Sequence, residues 1–397
     1  MVFRDLVPEI PSTTYATFGL YKYPAKFIPQ VIAYALKRYA APGTSVIDPF
    51  AGYGTAGAVA RIAGHDYELW DLNPLLKPLH DVAIASPADV DAAALVDDMR
   101  AHRTPFEPDW PNVAYWYPEP FLPMIAEAWG FYHSLTNPDT RRALLIPLMK
   151  TTRYFSLDDE KRQKLSRSKV ARARADRLEQ ADWQGEFYRR VREGVELVLA
   201  AQAEYAALGP KPVRSAVRAG IDGLAMTSET AHDVLITSPP YLQAQEYIRA
   251  SKMDLFWLGH SAEAVRRLSK LEFPYQDVPE IPIHSDTYHE CLEAIREPHM
   301  ARLYRRYFFG VLGTLTQLQE RISEKLLLFV GPATIRTRPI PIDRIFVEHF
   351  EALGWQHEAT LVDTIVSKNL FSYRVNPATG APDRRIKAEQ LVVLTRR

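Results

Sequence analysis

The chain is expected to adopt an open α/β fold with a mostly parallel sheet, interrupted by a helical insertion. Three observations lead there. A short apolar strand, Ser45-Val46-Ile47-Asp48, runs into a glycine turn and then a helical pattern. A second apolar run, Asp233-Val234-Leu235-Ile236-Thr237, reads as a buried parallel strand and stops at Pro239 and Pro240. Between them, residues 91–210 are mainly helical by period, where a parallel sheet would ordinarily resume within about a dozen residues.

The elements follow in order. A helix over 27–39 precedes the first strand. In the turn Pro49-Phe50-Ala51-Gly52-Tyr53-Gly54-Thr55, Gly52 and Gly54 permit a tight bend and close backbone approach before a helix N-terminus. Tyr67-Glu68-Leu69-Trp70-Asp71 is a second strand ending in an acid, placed to accept hydrogen bonds from ribose hydroxyls. Asn73-Pro74 opens the next helix. Helical stretches are expected at 121–132, 140–150 and 183–205. The sheet returns at 213–217, with Asp222 at the strand tip. After the Pro-Pro loop come a helix over 247–258 and a loop-rich region over 260–300 holding Pro274, Pro279 and Pro282. A helix over 303–323, a strand over 325–330 and a helix over 343–353 follow. Strands over 358–366 and 390–394 close the sheet, joined through a turn-rich loop at 376–382.

Composition sets bounds. The 397 residues are 47% hydrophobic and 24% charged, the profile of a soluble globular protein. Lys plus Arg equals Asp plus Glu at 48 each, so the whole molecule has no net attraction for nucleic acid and any basic footprint must be local. The single cysteine, Cys291, excludes an internal disulfide framework and a Cys-rich zinc site. It fits a reducing cytoplasm. No metal site is expected. No run is apolar enough to span a membrane, and the N-terminus shows no signal-peptide pattern, so a cytoplasmic location is expected.

Chemistry concentrates in Ser238-Pro239-Pro240-Tyr241. Two prolines hold a rigid loop at the carboxyl end of the sheet, where open α/β folds bind ligands. The loop gathers a hydroxyl, a carbonyl and an aromatic face, groups that suit gripping a flat base and polarising its exocyclic amine. A plain strand-ending turn would contain the same residues. The glycine turn is also compatible with an ordinary βαβ unit. Gly52, Gly54 and Gly57 further fit the dinucleotide fingerprint of a nicotinamide dehydrogenase, which leaves the Pro-Pro-Tyr loop unexplained.

Taken together these segments resemble the amino-methylating DNA methyltransferases, which act on N4 of cytosine or N6 of adenine. Asp48-Pro49-Phe50-Ala51-Gly52-Tyr53-Gly54-Thr55 is similar to the family's cofactor motif. Thr237-Ser238-Pro239-Pro240-Tyr241 is similar to its catalytic motif. The segment from Tyr21 to Gln30, with Tyr23, Pro24, Lys26 and Phe27, resembles its N-terminal cofactor-binding segment. Glu246-Tyr247-Ile248-Arg249 and Leu255-Phe256-Trp257-Leu258-Gly259 resemble the helix after the catalytic loop. The likeness covers roughly 12–80 and 211–397. It implies a Rossmann-like methyltransferase with a mixed, mostly parallel seven-stranded sheet, S-adenosylmethionine as cofactor, and double-stranded DNA as partner. A cognate restriction nuclease is a further candidate partner. Cofactor contacts implied are Tyr23, Pro24, Lys26, Phe27, Asp48, Pro49, Phe50, Gly52, Gly54, Thr55, Asp71 and Asn73, with Asp222 at the adenine. Residues 1–90 and 211–397 would form the catalytic domain, and 91–210 an inserted subdomain.

Serine ahead of Pro-Pro-Tyr is typical of N4-cytosine enzymes in that family, although a hydroxyl can serve either amine. Methylation at carbon 5 normally needs a cysteine nucleophile, and Cys291 lies beside none of the motifs. RNA methylation and a non-catalytic DNA-binding protein on the same fold are the remaining alternatives. The stretch 161–177 carries Lys161, Arg162, Lys164, Arg167, Lys169, Arg172, Arg174 and Arg177 against one acid, Asp176, and is expected to contact DNA phosphates. Ser166 and Ser168 are candidate phosphate donors, and Tyr154 and Phe155 could pack the segment or touch bases. A solvated helix face would look the same.

Overall fold

The computed structural model describes residues 2–24, 26–162, 164–242, 246–336, 338–364 and 388–397. Its centre is a seven-stranded sheet made of β1 (Ser45–Asp48), β2 (Asp66–Asp71), β3 (Ser215–Ala219), β4 (His232–Thr237), β5 (Ile322–Val330), β8 (Trp355–Thr364) and β9 (Ala388–Arg396). A separate two-stranded hairpin pairs β6 (Ala333–Ile335) with β7 (Arg338–Ile340). The order across the sheet is β3-β2-β1-β4-β5-β9-β8. The first five strands are parallel, and β9 runs antiparallel to both neighbours. This is the mixed, mostly parallel Rossmann-like sheet that the sequence predicts.

Strand composition explains the layering. Side chains alternate across a strand, and here both faces are covered, so β4 and β5 read as continuous apolar runs. Val234, Ile236, Leu327 and Phe329 face one core, which α1 (Pro29–Tyr39) and α2 (Thr55–Ala63) cover. Leu235, Leu326 and Leu328 face the other, covered by α13 (Pro298–Gln319) and α14 (Ile342–Ala352).

Between β2 and β3 the chain forms α3 (Leu76–Ala83), α4 (Ala92–Ala101), α5 (Val113–Trp116), α6 (Leu122–Ser134), α7 (Pro138–Tyr154), α8 (Lys169–Glu179) and α9 (Trp183–Ala207). Their apolar faces share one core with Tyr21, Tyr23, Leu75, Leu79 and the buried face of α10 (Tyr247–Trp257). Trp129 stacks on Trp257 at 5.9 Å, and the Trp257 indole donates to the Tyr117 hydroxyl at 2.8 Å. The helices after β2 therefore pack directly on the helix that follows the Pro-Pro loop.

Some local expectations shift. α3 begins at Leu76 rather than at Pro74, because the Asn73 side chain accepts from the Leu75 N–H at 3.1 Å and holds a turn there. The 260–300 region is more ordered than expected. It holds α11 (Ala262–Lys270), capped by Ser261, and α12 (Asp286–Glu293), capped by Ser285. The three prolines lie between these helices. The β6–β7 hairpin has no counterpart in the sequence reading. Residues 365 and 366 and the 376–382 loop of the closing segments, and Ala25 of the N-terminal segment, lie outside the described residues.

Candidate active site

The fold places the carboxyl ends of β1, β2 and β4 side by side. β1 pairs with β2 on one side and β4 on the other, so the chain crosses over in opposite directions from it, and a crevice opens at that point. Asp48 ties the strand ends together. A single oxygen, Oδ1, accepts from the Thr237 hydroxyl at 2.6 Å and from the Phe50 N–H at 3.0 Å. Burial pushes its pKa up to about 7, against the opposing pull of those bonds.

The glycine turn closes onto Asp71. The Gly52 N–H donates to Asp71 Oδ2 at 2.7 Å, and the Asn73 N–H donates to Oδ1 at 2.7 Å. Each oxygen thus has one backbone donor and keeps a lone pair for a ligand. Burial raises the Asp71 pKa to about 6. Gly52 sits at φ 54°, where a Cβ would lie 2.9 Å from the Tyr23 ring. Gly54 sits at φ 84°, where a Cβ would lie 2.6 Å from His80 Nδ1. Neither position accepts a side chain without movement.

The crevice is lined by Tyr23, Pro24, Lys26 and Phe27 from the N-terminal segment, by Pro49, Phe50 and Gly52, and by Asp71 and Asn73. Asp222, Ser238, Pro239 and Pro240 complete the opposite wall. Residues from the three separated motifs therefore meet in one cleft. Asn73 Nδ2 donates to Ser251 on α10 at 2.8 Å, which fixes its amide. Asp222 is held by Leu224 N–H at 3.1 Å and by the Gln276 amide at 2.5 Å. The Lys26 ammonium donates to the Phe18 carbonyl and lies 5.2 Å from the Tyr53 ring, and burial lowers its pKa to about 8.

Asp48, Gly54 and Thr55 stand behind the cleft wall rather than on it. They shape the turn. Tyr241 also faces away: its hydroxyl donates to Glu389 on β9. Tyr247, like Tyr23 and Tyr53, does stand on the cleft, and its hydroxyl accepts the Tyr241 N–H at 3.4 Å. Glu272 is a second residue that the sequence reading did not single out. It is buried on the cleft wall, accepts from the Ile248 N–H at 3.1 Å, and has its pKa raised by burial to about 7. Tyr247 belongs to a segment likened to the helix after the catalytic loop but was not picked out as a site residue, and Glu272, which carries no sequence signal, arrives through packing. Cys291 is not on the cleft, and burial raises its thiol pKa.

The basic stretch divides by role. Lys161, Arg162 and Lys169 are exposed. Lys164 reaches Glu246, which opens α10, at 2.5 Å. Arg167 covers the Tyr115 ring at 4.2 Å. One expectation is corrected. Arg174 is only 12% exposed and is spent on the Ser156 and Asp158 carbonyls and on Glu160. Ser168 caps α8 by accepting from Ala171 N–H, which fixes its oxygen at the helix end and leaves its O–H to donate. Tyr154 and Phe155 pack: Tyr154 lies against Arg174 and Arg190, and Phe155 is fully buried.

No protein-family model matches the chain, and no curated protein matches it. Among solved structures it is similar to two of the rRNA methyltransferase AviRa from Streptomyces viridochromogenes, at 12% and 11% identity. Each alignment covers 98% of this chain and 92% of the other, with TM-scores of 0.34 and 0.33. Superpositions that loose carry no argument about activity or substrate.

Proposed function

We propose that the chain is an S-adenosylmethionine-dependent methyltransferase acting on the exocyclic N4 amine of cytosine in DNA. The observation that carries this reading is the shared cleft: Ser238-Pro239-Pro240 ends β4 opposite the Gly52 turn and Asp71. The residues fit the cofactor. Asp71 retains one free acceptor on each oxygen for the two ribose hydroxyls. The backbone at Gly52 leaves a cradle that a Cβ would fill. Phe50 and Phe273 meet edge to face at 6.0 Å on the wall beside Asp222, an apolar slot with one acid for an adenine. When bound, the cofactor supplies an electrophilic methyl group on a sulfonium.

The chain's own part is orientation and charge stabilisation. The Ser238 hydroxyl and the Pro239 carbonyl accept hydrogen bonds from the two amine hydrogens of the target base. That turns the nitrogen lone pair out of conjugation. The nitrogen becomes more positive as it reacts, so these bonds strengthen in the transition state. The rigid Pro-Pro loop holds the acceptors without further ordering cost. A base inside a duplex must leave the stack to reach such a cleft. The exposed cations at 161, 162 and 169 supply local positive charge for phosphates in a chain of zero net charge.

Calorimetric titration separates this reading from a dehydrogenase. Binding of S-adenosylmethionine with no binding of NAD is expected. NAD binding alone, or neither, overturns the assignment.

A further inference from the structure

A second cleft adjoins the first. Tyr23, Pro24 and Lys26 line both, so one stretch of the N-terminal segment is the partition between them. The second cleft lies among this segment, α7, α9 and α10, with a cavity volume of 630 Å³. That falls within the range of about 300–1,000 Å³ that holds ligand-sized groups.

Its charge is lopsided. Lys22, Lys26, Lys150, Arg153, Arg162 and Arg190 line it, against three acids. The acids are already neutralised. Asp254 pairs with Arg153 at 3.7 Å on the buried floor, Glu193 with Arg189 at 2.5 Å, and Glu160 with Arg174 at 3.1 Å. The last two use arginines outside the cleft, while the lining Arg162 and Arg190 pair with Asp159 at 3.4 Å and Glu186 at 2.5 Å, also outside it. Three lysines are left without a carboxylate partner among the described residues. Lys22 donates to the Glu160 carbonyl at 2.9 Å, Lys26 to the Phe18 carbonyl, and Lys150 is exposed.

Two features point to an elongated polyanion rather than a small anion. The cations continue out of the cleft. Arg162, 62% exposed, lines it, and Lys164 two residues on pairs with Glu246 at the start of α10, next to Tyr247 on the first cleft. Apolar surface is also on offer beside the lysines from Leu197, which is 54% exposed. Phosphates want the cations, and sugars and bases cover the apolar wall.

We propose that this second cleft binds nucleotides flanking the target base, with Lys22 and Lys150 on their phosphates. The inference rests on the nucleic-acid reading above and extends it to a site on the far side of the partition. A strand would then lie over Arg162 and Lys164 with its reacting base in one cleft and its neighbours in the other.

The test is fluorescence anisotropy with labelled single-stranded and duplex oligonucleotides at several salt concentrations. Lys22→Glu/Lys150→Glu takes two cations away from the phosphates. A single-strand salt slope smaller by about 1.4, and affinity lower by about tenfold at about 0.15 M salt, are expected. Leu197→Glu, a change at an exposed position, should also weaken binding. S-adenosylmethionine affinity by calorimetry should stay at the wild-type value in both variants, which reports on folding. Wild-type oligonucleotide affinity and slope in both variants overturn the second site and leave the enzyme reading standing. A wild-type protein that binds neither oligonucleotide overturns both.

Discussion

Replacing Asp71 with asparagine removes an acceptor from a carboxylate whose two oxygens are both in use. Oδ1 takes the Asn73 N–H and Oδ2 the Gly52 N–H, each at 2.7 Å. An amide has one acceptor oxygen, so either backbone donor would face an NH2 group. The site loses a charged acceptor for a ribose hydroxyl and gains a donor conflict in the turn. A hydrogen bond to a charged group is worth about 1.5–3 kcal/mol, and an unsatisfied buried donor costs about 1–3 kcal/mol. The first term alone predicts a fall in S-adenosylmethionine affinity of roughly ten- to 150-fold. Calorimetric titration of Asp71→Asn measures it. Asp71→Ala should fall at least as far. Wild-type affinity in Asp71→Asn would show that Asp71 does not hold the cofactor.

Asp48→Asn should behave differently, because both donors, Thr237 and Phe50, use the same oxygen and an amide carbonyl keeps them. Burial raises the Asp48 pKa from 3.8 to about 7, so the folded state holds its proton longer than the unfolded state. Stability from this group is full below about pH 4 and is lost as pH rises through about 7, by up to about 4 kcal/mol. Denaturant melts at several pH values should show that fall flattened in Asp48→Asn, and an unchanged pH profile would contradict it. Tyr241→Ala should leave cofactor affinity near that of wild type, since Tyr241 bonds to Glu389 off the cleft, and loss of cofactor binding would contradict that placement. Lys161→Glu/Lys169→Glu should weaken binding to all DNA sequences alike and lower the salt slope by about 0.9 for each phosphate no longer neutralised, with unchanged salt slopes placing the segment away from DNA.

The sheet was legible because its central parallel strands, unlike the half-exposed edge strand β3, are buried on both faces. Such strands must be runs such as Val234-Leu235-Ile236, and their ends are marked by Asp48, Asp71 and the prolines after Thr237. The crevice followed from the same marks, since ligands sit where strand order reverses. Side-chain direction was not legible. Tyr241 was expected to face a base, yet β9, about 150 residues away in the chain, supplies Glu389 and draws its hydroxyl off the cleft. Tyr247 sat in a segment whose helix was read but whose place on the wall was not, and Glu272 reaches the wall through tertiary packing, which leaves no local pattern. The basic stretch showed its charge but not its use: Arg174 and Ser168 serve the fold, as their carbonyl and N–H partners show. α11 was missed because its apolar content is only Val265 and Leu268 on a charged helix, with Ser261 as the signal.

The central claim is the reaction itself. Mixed-sequence DNA incubated with the protein and methyl-labelled S-adenosylmethionine, then digested to nucleosides for mass spectrometry, tests it most directly. The account predicts label in N4-methylcytosine. Label only in N6-methyladenine would overturn the base assignment that rests on Ser238, and label in 5-methylcytosine would contradict the mechanism, since no cysteine lines the cleft.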